Sequence, residues 1–159
     1  PSEEGLYLDG KAVWSFAAEK ESIAPEDILG VGISIGTGAA AHTALHFKAR
    51  TLMLVAPYVS LKEAARAVPL FGLLAPFLWY SFPTAGYLRE LSASCLILVH
   101  GQKDTVIPFS HSTRLSQIHP ERTLFVQSSE AGHNDILFKA YPEMTRAVDS
   151  CLGRSAAAP

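Results

Sequence analysis

Residues 28–36 read Ile-Leu-Gly-Val-Gly-Ile-Ser-Ile-Gly, a continuous apolar run that ends in a Gly-x-Ser-x-Gly pattern. A run of this kind is typical of a parallel strand that is buried on both faces. A helix with a face of small residues is predicted to follow it, up to about Lys48. A strand that passes directly into a helix needs a sharp turn at Ser34. Side chains two positions before and after Ser34 would collide in such a turn. We therefore expect that only glycine fits at positions 32 and 36, as in Gly32 and Gly36.

Helices and strands alternate on both sides of this segment. Ser2 is predicted to cap a helix that ends at about Glu19, because the acids Glu3 and Glu4 follow it. Further buried strands are predicted at residues 51–56, 95–100 and 123–127, and further helices at 109–118 and 135–152. The predicted class is therefore α/β, with a parallel sheet of about four strands and flanking helices.

Composition limits the classes of function. The chain has 159 residues, of which 48% are hydrophobic and 18% charged, with a formal net charge of -2. Proteins that bind the phosphate backbone of nucleic acids usually carry a basic surface, so a net charge near zero predicts that this protein has no nucleic-acid partner. Cys95 and Cys151 lie in apolar stretches and are predicted to form neither a disulfide framework nor a metal site, which is typical of a reducing compartment. With no signal peptide visible at Pro1, the predicted location is the cytoplasm.

A long segment separates the second and third predicted strands. It spans about 38 residues, more than one crossover helix needs, and we predict a cap-like insertion at about residues 58–92. Its centre, residues 70–82, is apolar and is broken by Pro76. Such a segment is too short for a membrane span of about 20 residues. It is either a buried part of the core or an apolar cap over a pocket, and a cap would allow peripheral membrane contact.

Three residues that suit nucleophilic catalysis follow three different strands. Ser34 ends the first strand, Asp104 lies just beyond the third, and His133 lies in a short loop after the fourth. The carboxyl ends of parallel strands meet at one edge of a sheet, so these side chains are predicted to lie close together. A serine hydroxyl needs a base to take its proton, and the base needs a buried acid to orient it.

At these residues the sequence resembles the α/β-hydrolase family of serine hydrolases, and the similarity extends along residues 1–153. It is most similar to the branch that includes membrane-associated depalmitoylases and small esterases. The resemblance implies Ser34 as nucleophile, His133 as base and then acid, and Asp104 as orienting acid. It also implies the Ile35 amide as an oxyanion donor, an acyl ester or thioester as substrate, and no cofactor or metal.

The sequence departs from the family in two places. Ile33 stands where a polar or aromatic residue often precedes the nucleophile, and we expect it to form a drier wall of the site. The family also has about four strands ahead of the first helix, and a loop among them supplies the second oxyanion donor. We therefore expect residues 1–153 to form a partial domain, residues 154–159 a tail, and a missing half or a partner chain to lie along the edge of strand 28–33.

Two other classes of function remain as alternatives. Gly32-x-x-x-Gly36-x-Gly38 also matches nicotinamide-dependent dehydrogenases, although the Tyr7/Lys11 and Tyr58/Lys62 pairs are misplaced for that chemistry. An inactive hydrolase domain that serves as a binding subunit is the other alternative.

Other polar residues have simpler interpretations. His42 and His46 have the spacing of a zinc pair but no evident third ligand. His100 and Glu130 are interpreted as groups that anchor loops. Asp135, a rival to Asp104 as the acid, is interpreted as a helix cap.

Overall fold

Four parallel strands form one sheet in the order β1-β2-β3-β4 in this computed structural model, which describes residues 2–67 and 80–156, with side chains up to residue 153. The strands are β1 (Leu29–Ile33), β2 (Thr51–Val55), β3 (Cys95–Gly101) and β4 (Thr123–Ser128). The bounds of all four agree with the predicted strands to within one residue, but β4 is half-buried rather than buried as predicted, because it is an edge of the described sheet. The predicted α/β class and parallel sheet are therefore confirmed.

Seven helices are described in the two ranges. Ser2 caps the first one, as predicted, because its side chain accepts a hydrogen bond from the Gly5 amide at 3.0 Å. Short 3-10 turns occupy Pro25–Asp27 and Pro120–Arg122. The helices are α1 (Glu3–Glu21), α2 (Gly36–His46), α3 (Leu61–Ala67), α4 (Thr84–Glu90), α5 (Ser110–Ser116), α6 (Ile136–Lys139) and α7 (Tyr141–Ala156).

Helices cover both faces of the sheet. On one face, leucines of β2 and β3 pack against residues of α1, α2, α4 and α5 in one core cluster. On the other face, Met53, Val55, Ile97 and Val99 pack against α6 and α7. All side chains of β2 and β3 are buried, as a strand between two helical layers requires.

Strand β1 is an edge of this sheet and pairs only with β2 in the described structure. The prediction that it is buried on both faces is wrong here, because Val31 is 48% and Ile33 46% exposed. Helix α7 contacts β3 and β4, so it does not cover the outer side chains of β1. An apolar edge strand with exposed side chains is a site where another chain or segment pairs.

The predicted helix at residues 135–152 is two helices. Helix α6 ends at Lys139, and α7 begins at Tyr141 after Ala140. Pro142 has no N–H to donate to the carbonyl of Phe138, so one continuous helix cannot pass through it. The second helix runs to Ala156, into the segment predicted as a tail.

Cys95 and Cys151 form a disulfide, with their Cα atoms 5.6 Å apart. This corrects the prediction of two unpaired cysteines. The bond joins β3 to α7 across a buried interface, since both residues are fully buried. Sequence patterns did not indicate this bond, because the two residues are 56 positions apart and become neighbours only in the folded chain.

Most of the centre of the predicted cap lies outside the described residues, which leave out residues 68–79, and the cap and its membrane contact stay predictions. Its flanks are helices α3 and α4, and Phe82 between them is buried. Within residues 2–67 and 80–156, no helix has the length and apolar character that a membrane crossing requires.

Candidate active site

Ser34 lies in the turn between β1 and α2 with a left-handed backbone, at φ 52°. A left-handed non-glycine residue is strained by about 1–2 kcal/mol. Neighbouring hydrogen bonds hold it there: the Ser34 amide donates to the Val55 carbonyl at 2.9 Å, and the Thr37 amide and hydroxyl donate to the Ser34 carbonyl at 3.0 and 2.7 Å. The turn presents the Ser34 hydroxyl at the carboxyl edge of the sheet.

The two glycines of the turn differ in their surroundings. A Cβ at Gly32 would stand 2.7 Å from the Cβ of Ala40 and 2.8 Å from the Cα of Thr37, so a side chain is excluded there as expected. A Cβ at Gly36 would meet no atom within 4 Å. The expectation that Gly36 is required by space is therefore wrong in the described structure, because this residue faces an open groove rather than a packed one.

Ser34, His133 and Asp104 form one hydrogen-bonded series. The Ser34 Oγ lies 2.9 Å from His133 Nε2, and His133 Nδ1 lies 2.7 Å from Asp104 Oδ2. Because a carboxylate only accepts, Nδ1 carries the hydrogen, and Nε2 of the neutral ring is left to accept the serine proton. The three residues that the sequence placed at one edge are thus joined by two consecutive hydrogen bonds, with His133 in the middle.

The Asp104 carboxylate is buried and accepts hydrogen bonds at both oxygens. The amides of Val106 and Ile107 donate to Oδ1, each at 2.8 Å, while His133 and His100 face Oδ2. Burial by itself raises the pKa of Asp104, but hydrogen bonds from His100, His133 and the two amides outweigh it and lower the pKa to about 2. Asp104 is therefore ionised wherever His133 needs a negative partner.

Asp135 holds the loop that carries His133. Its Oδ1 accepts a hydrogen bond from the Gly132 amide at 2.7 Å, and its Oδ2 pairs with Lys139 at 2.6 Å. Asp135 occupies the N-cap position of α6, as interpreted from the sequence, but its side chain makes no cap hydrogen bond to the helix. Glu130 pairs with Lys103 at 2.6 Å, which joins this loop to the segment before Asp104.

The amide of Ile35 lies at the first turn of α2, where N–H groups have no partner within the helix. The Ile35 carbonyl accepts a hydrogen bond from the Tyr58 hydroxyl at 2.9 Å. Tyr58 is fully buried, and burial raises the pKa of its phenol above the ordinary value. Tyr58 is not predicted from the sequence to belong to this site, because no sequence pattern places it beside Ile35.

An apolar cavity of about 210 Å³ opens beside the serine. Ile35 lines it, whereas Ile33 lies on the exposed face of β1, so a role for Ile33 as a wall of the site stays a prediction. A larger apolar cavity of about 430 Å³ lies between α1, α2 and β1 and does not include Ser34. The smaller cavity is lined by Ser34, Ile35, Tyr58, Leu61, Ala64, Ala65, Val106 and Ile107.

Curated relatives match most of the chain. Alpha/beta hydrolase domain-containing protein 17C of Xenopus tropicalis is 30% identical over 144 residues, which are 90% of this chain and 45% of the relative. Alpha/beta hydrolase domain-containing protein 17B of Homo sapiens is 30% identical over 146 residues, 90% of this chain and 48% of the relative. No protein-family model matches.

Solved structures give the same fold. An alpha-beta hydrolase from Vibrio vulnificus superposes with a TM-score of 0.72 at 19% identity, covering 92% of this chain and 57% of that one. The chain therefore has the fold of the α/β-hydrolases. A second structure, an esterase from Pyrococcus furiosus, superposes with a TM-score of 0.69 at 17% identity, over 93% of this chain and 61% of the other. The chain spans about half the length of the curated relatives that it matches.

Gly38, the third glycine of the turn, packs closely against Phe82 and Tyr58. A Cβ there would stand 2.7 Å from both the Cβ of Phe82 and the hydroxyl of Tyr58. Such packing by itself does not exclude a nicotinamide cofactor, but strand β2 is followed by Ala56 and Pro57, with no acid to bind a ribose hydroxyl. The dehydrogenase alternative is therefore not favoured.

Proposed function

We propose that the protein cleaves carboxylic esters or thioesters through an acyl intermediate on Ser34. The observation that carries this proposal is the series from Ser34 through His133 to Asp104, with distances of 2.9 and 2.7 Å. In this reaction Ser34 Oγ bonds to the acyl carbon as its proton passes to His133 Nε2. His133 then gives the proton to the leaving oxygen or sulfur as its bond to the acyl carbon breaks. A water molecule next attacks the acyl carbon on Ser34, again with His133 as base, and releases the carboxylic acid and the free Ser34 hydroxyl.

The surroundings of Ser34 suit an acyl transfer. The Ile35 amide, at the start of α2, is the proposed donor to the oxyanion that develops on the substrate carbonyl. The 210 Å³ cavity is lined almost entirely by apolar side chains, which favours an apolar acyl group over a charged one. The relatives that the chain matches are named as hydrolases, and this supports hydrolysis as the general class of reaction.

A fluorophosphonate probe tests the assignment of the nucleophile. We expect it to label Ser34, as located by mass spectrometry of peptides, and we expect Ser34→Ala to abolish labelling. Ser22→Ala is the matched control, because Ser22 has the same φ of 52° at an exposed helix end. Labelling that persists in Ser34→Ala would contradict the proposal. Absence of labelling in the unmodified protein would favour an inactive hydrolase domain.

We also propose that the open edge of β1 pairs with the remaining strands of an α/β-hydrolase domain. Support comes from the half-exposed Val31 and Ile33, the apolar groove beside α1, and the greater length of the relatives. The second oxyanion donor would come from that part of the domain. The cytoplasmic location rests on the sequence alone, and the Cys95–Cys151 disulfide weighs against it, since disulfides are rare in reducing compartments.

A further inference from the structure

His100 is a fully buried polar residue at the end of β3. Its ring Nδ1 lies 2.6 Å from Ser112 Oγ, and its Nε2 lies 3.0 Å from the Ile107 carbonyl oxygen and 3.2 Å from Asp104 Oδ2. Burial of an imidazole is costly unless its nitrogens are hydrogen-bonded. An apolar side chain would continue the strand Leu96–Val99 at lower cost, so the polar contacts of His100 call for an explanation.

The geometry fixes which nitrogen carries the hydrogen. The Ile107 carbonyl and the Asp104 carboxylate are acceptors only, so Nε2 must donate to them. Nδ1 faces a hydroxyl, which is able to donate or accept. His100 therefore presents an N–H to the carboxylate whatever the direction of its bond to Ser112.

Asp104 Oδ2 is shared by two histidines. It lies 2.7 Å from His133 Nδ1 and 3.2 Å from His100 Nε2, while Oδ1 is held by the amides of Val106 and Ile107. Without His100, the Oδ2 atom would be held by His133 alone among these contacts. Because His100 also bonds the Ile107 carbonyl, it ties the same carboxylate to the turn that contains residues 104–107.

We propose that His100 is a positioning residue for the reaction, because its Nε2–H holds the Asp104 carboxylate oxygen that orients His133. This inference rests on the proposed function. It extends the series to five residues, Ser112, His100, Asp104, His133 and Ser34, in which the first two act only through Asp104.

Two substitutions separate positioning from packing. His100→Gln places an amide N–H near the position of Nε2, whereas His100→Asn places one near Nδ1 and loses the contact with Asp104. We expect His100→Asn to slow fluorophosphonate labelling of Ser34 by roughly 10- to 100-fold, the range typical of outer-shell groups that orient a functional side chain. We expect His100→Gln to restore most of the rate. Equal labelling rates in the two variants would overturn the inference.

Two further measurements keep the test independent of folding and of the proposed function. In the unmodified protein, NMR correlations of the His100 ring should place a hydrogen on Nε2, and a ring protonated on Nδ1 alone would overturn the inference. Ser112→Ala removes the other contact of the ring and should slow labelling less than His100→Asn does. Failure to label Ser34 in the unmodified protein would contradict the proposed function, while the NMR measurement would still decide the placement of His100.

Discussion

The backbone of Gly101 lies directly against the carbonyl of Ala131, where a Cβ at Gly101 would stand 2.2 Å from the carbonyl oxygen. The Lys103 amide donates to that oxygen at 3.0 Å. This contact joins the segment that carries Asp104 to the loop that carries His133. The 2.7 Å bond between the two side chains depends on how closely their backbones approach here.

We predict that Gly101→Ala destabilises the protein, because the added methyl group must push the Ala131 loop away. Overpacking of this kind costs about 1–3 kcal/mol of unfolding free energy. Gly36→Ala is the matched control: its methyl group enters open space, and we expect a change within about 0.5 kcal/mol. Urea unfolding of the two variants measures both values. A loss at Gly36 as large as that at Gly101 would contradict the packing described.

The assignment of the orienting acid predicts different results for two aspartates. Asp104→Asn should slow Ser34 labelling by orders of magnitude, roughly 10⁴ by analogy with other triads, because an amide no longer holds His133 in the required tautomer. Asp135→Asn should have a much smaller effect, since Asp135 contacts the Gly132 amide and Lys139 rather than His133. The reverse order of effects would mean that Asp135 is the acid.

The lowered pKa of Asp104 predicts a dependence of stability on pH. Its pKa falls from 3.8 to about 2 on folding, so its ionised form stabilises the folded state above pH 3.8. That stabilisation, roughly 2 kcal/mol, is lost as the pH falls through the folded pKa. We expect the unfolding free energy of the unmodified protein to decline more steeply than that of Asp104→Asn between about pH 5 and about pH 2. Parallel curves for the two proteins would contradict the shift.

The disulfide predicts that no free thiol is present in the folded protein. Alkylation after denaturation without reductant should modify neither Cys95 nor Cys151, whereas alkylation after reduction should modify both. Removal of the bond by the double substitution Cys95→Ala, Cys151→Ala should lower the unfolding free energy by about 4 kcal/mol, the chain-entropy value for a loop of this length. Two reactive thiols before reduction would refute the bond.

The edge strand predicts that residues 1–159 are not a self-sufficient enzyme. Expressed alone, they should self-associate along β1, because its backbone groups and the side chains of Val31 and Ile33 are exposed. The double substitution Val31→Lys, Ile33→Lys should reduce the self-association that sedimentation measures. Turnover of a nitrophenyl ester should be weak, since the loss of one oxyanion donor costs about 10² to 10³ in rate. A monodisperse monomer with ordinary enzymatic turnover would contradict this prediction.

Strong local patterns made the four strands predictable. Apolar runs mark the strands, most clearly β2 and β3, in which every side chain is buried. The break between α6 and α7 was missed, although Pro142 was visible, because the apolar periodicity continues across it. The exposure of β1 was missed because burial depends on what lies beside a strand, which its own residues do not record.

The sequence by itself determined the order of the strands along the chain, their parallel direction and the edge of the sheet at which Ser34, Asp104 and His133 lie. These follow from periodicity and connection length, which are local properties. The tertiary structure alone decided the contacts between residues far apart in the chain. The Cys95–Cys151 bond, the bond from His100 to Asp104 Oδ2 and the close approach of Gly101 to Ala131 each depend on how separate elements pack, because atomic distances are set by the whole core.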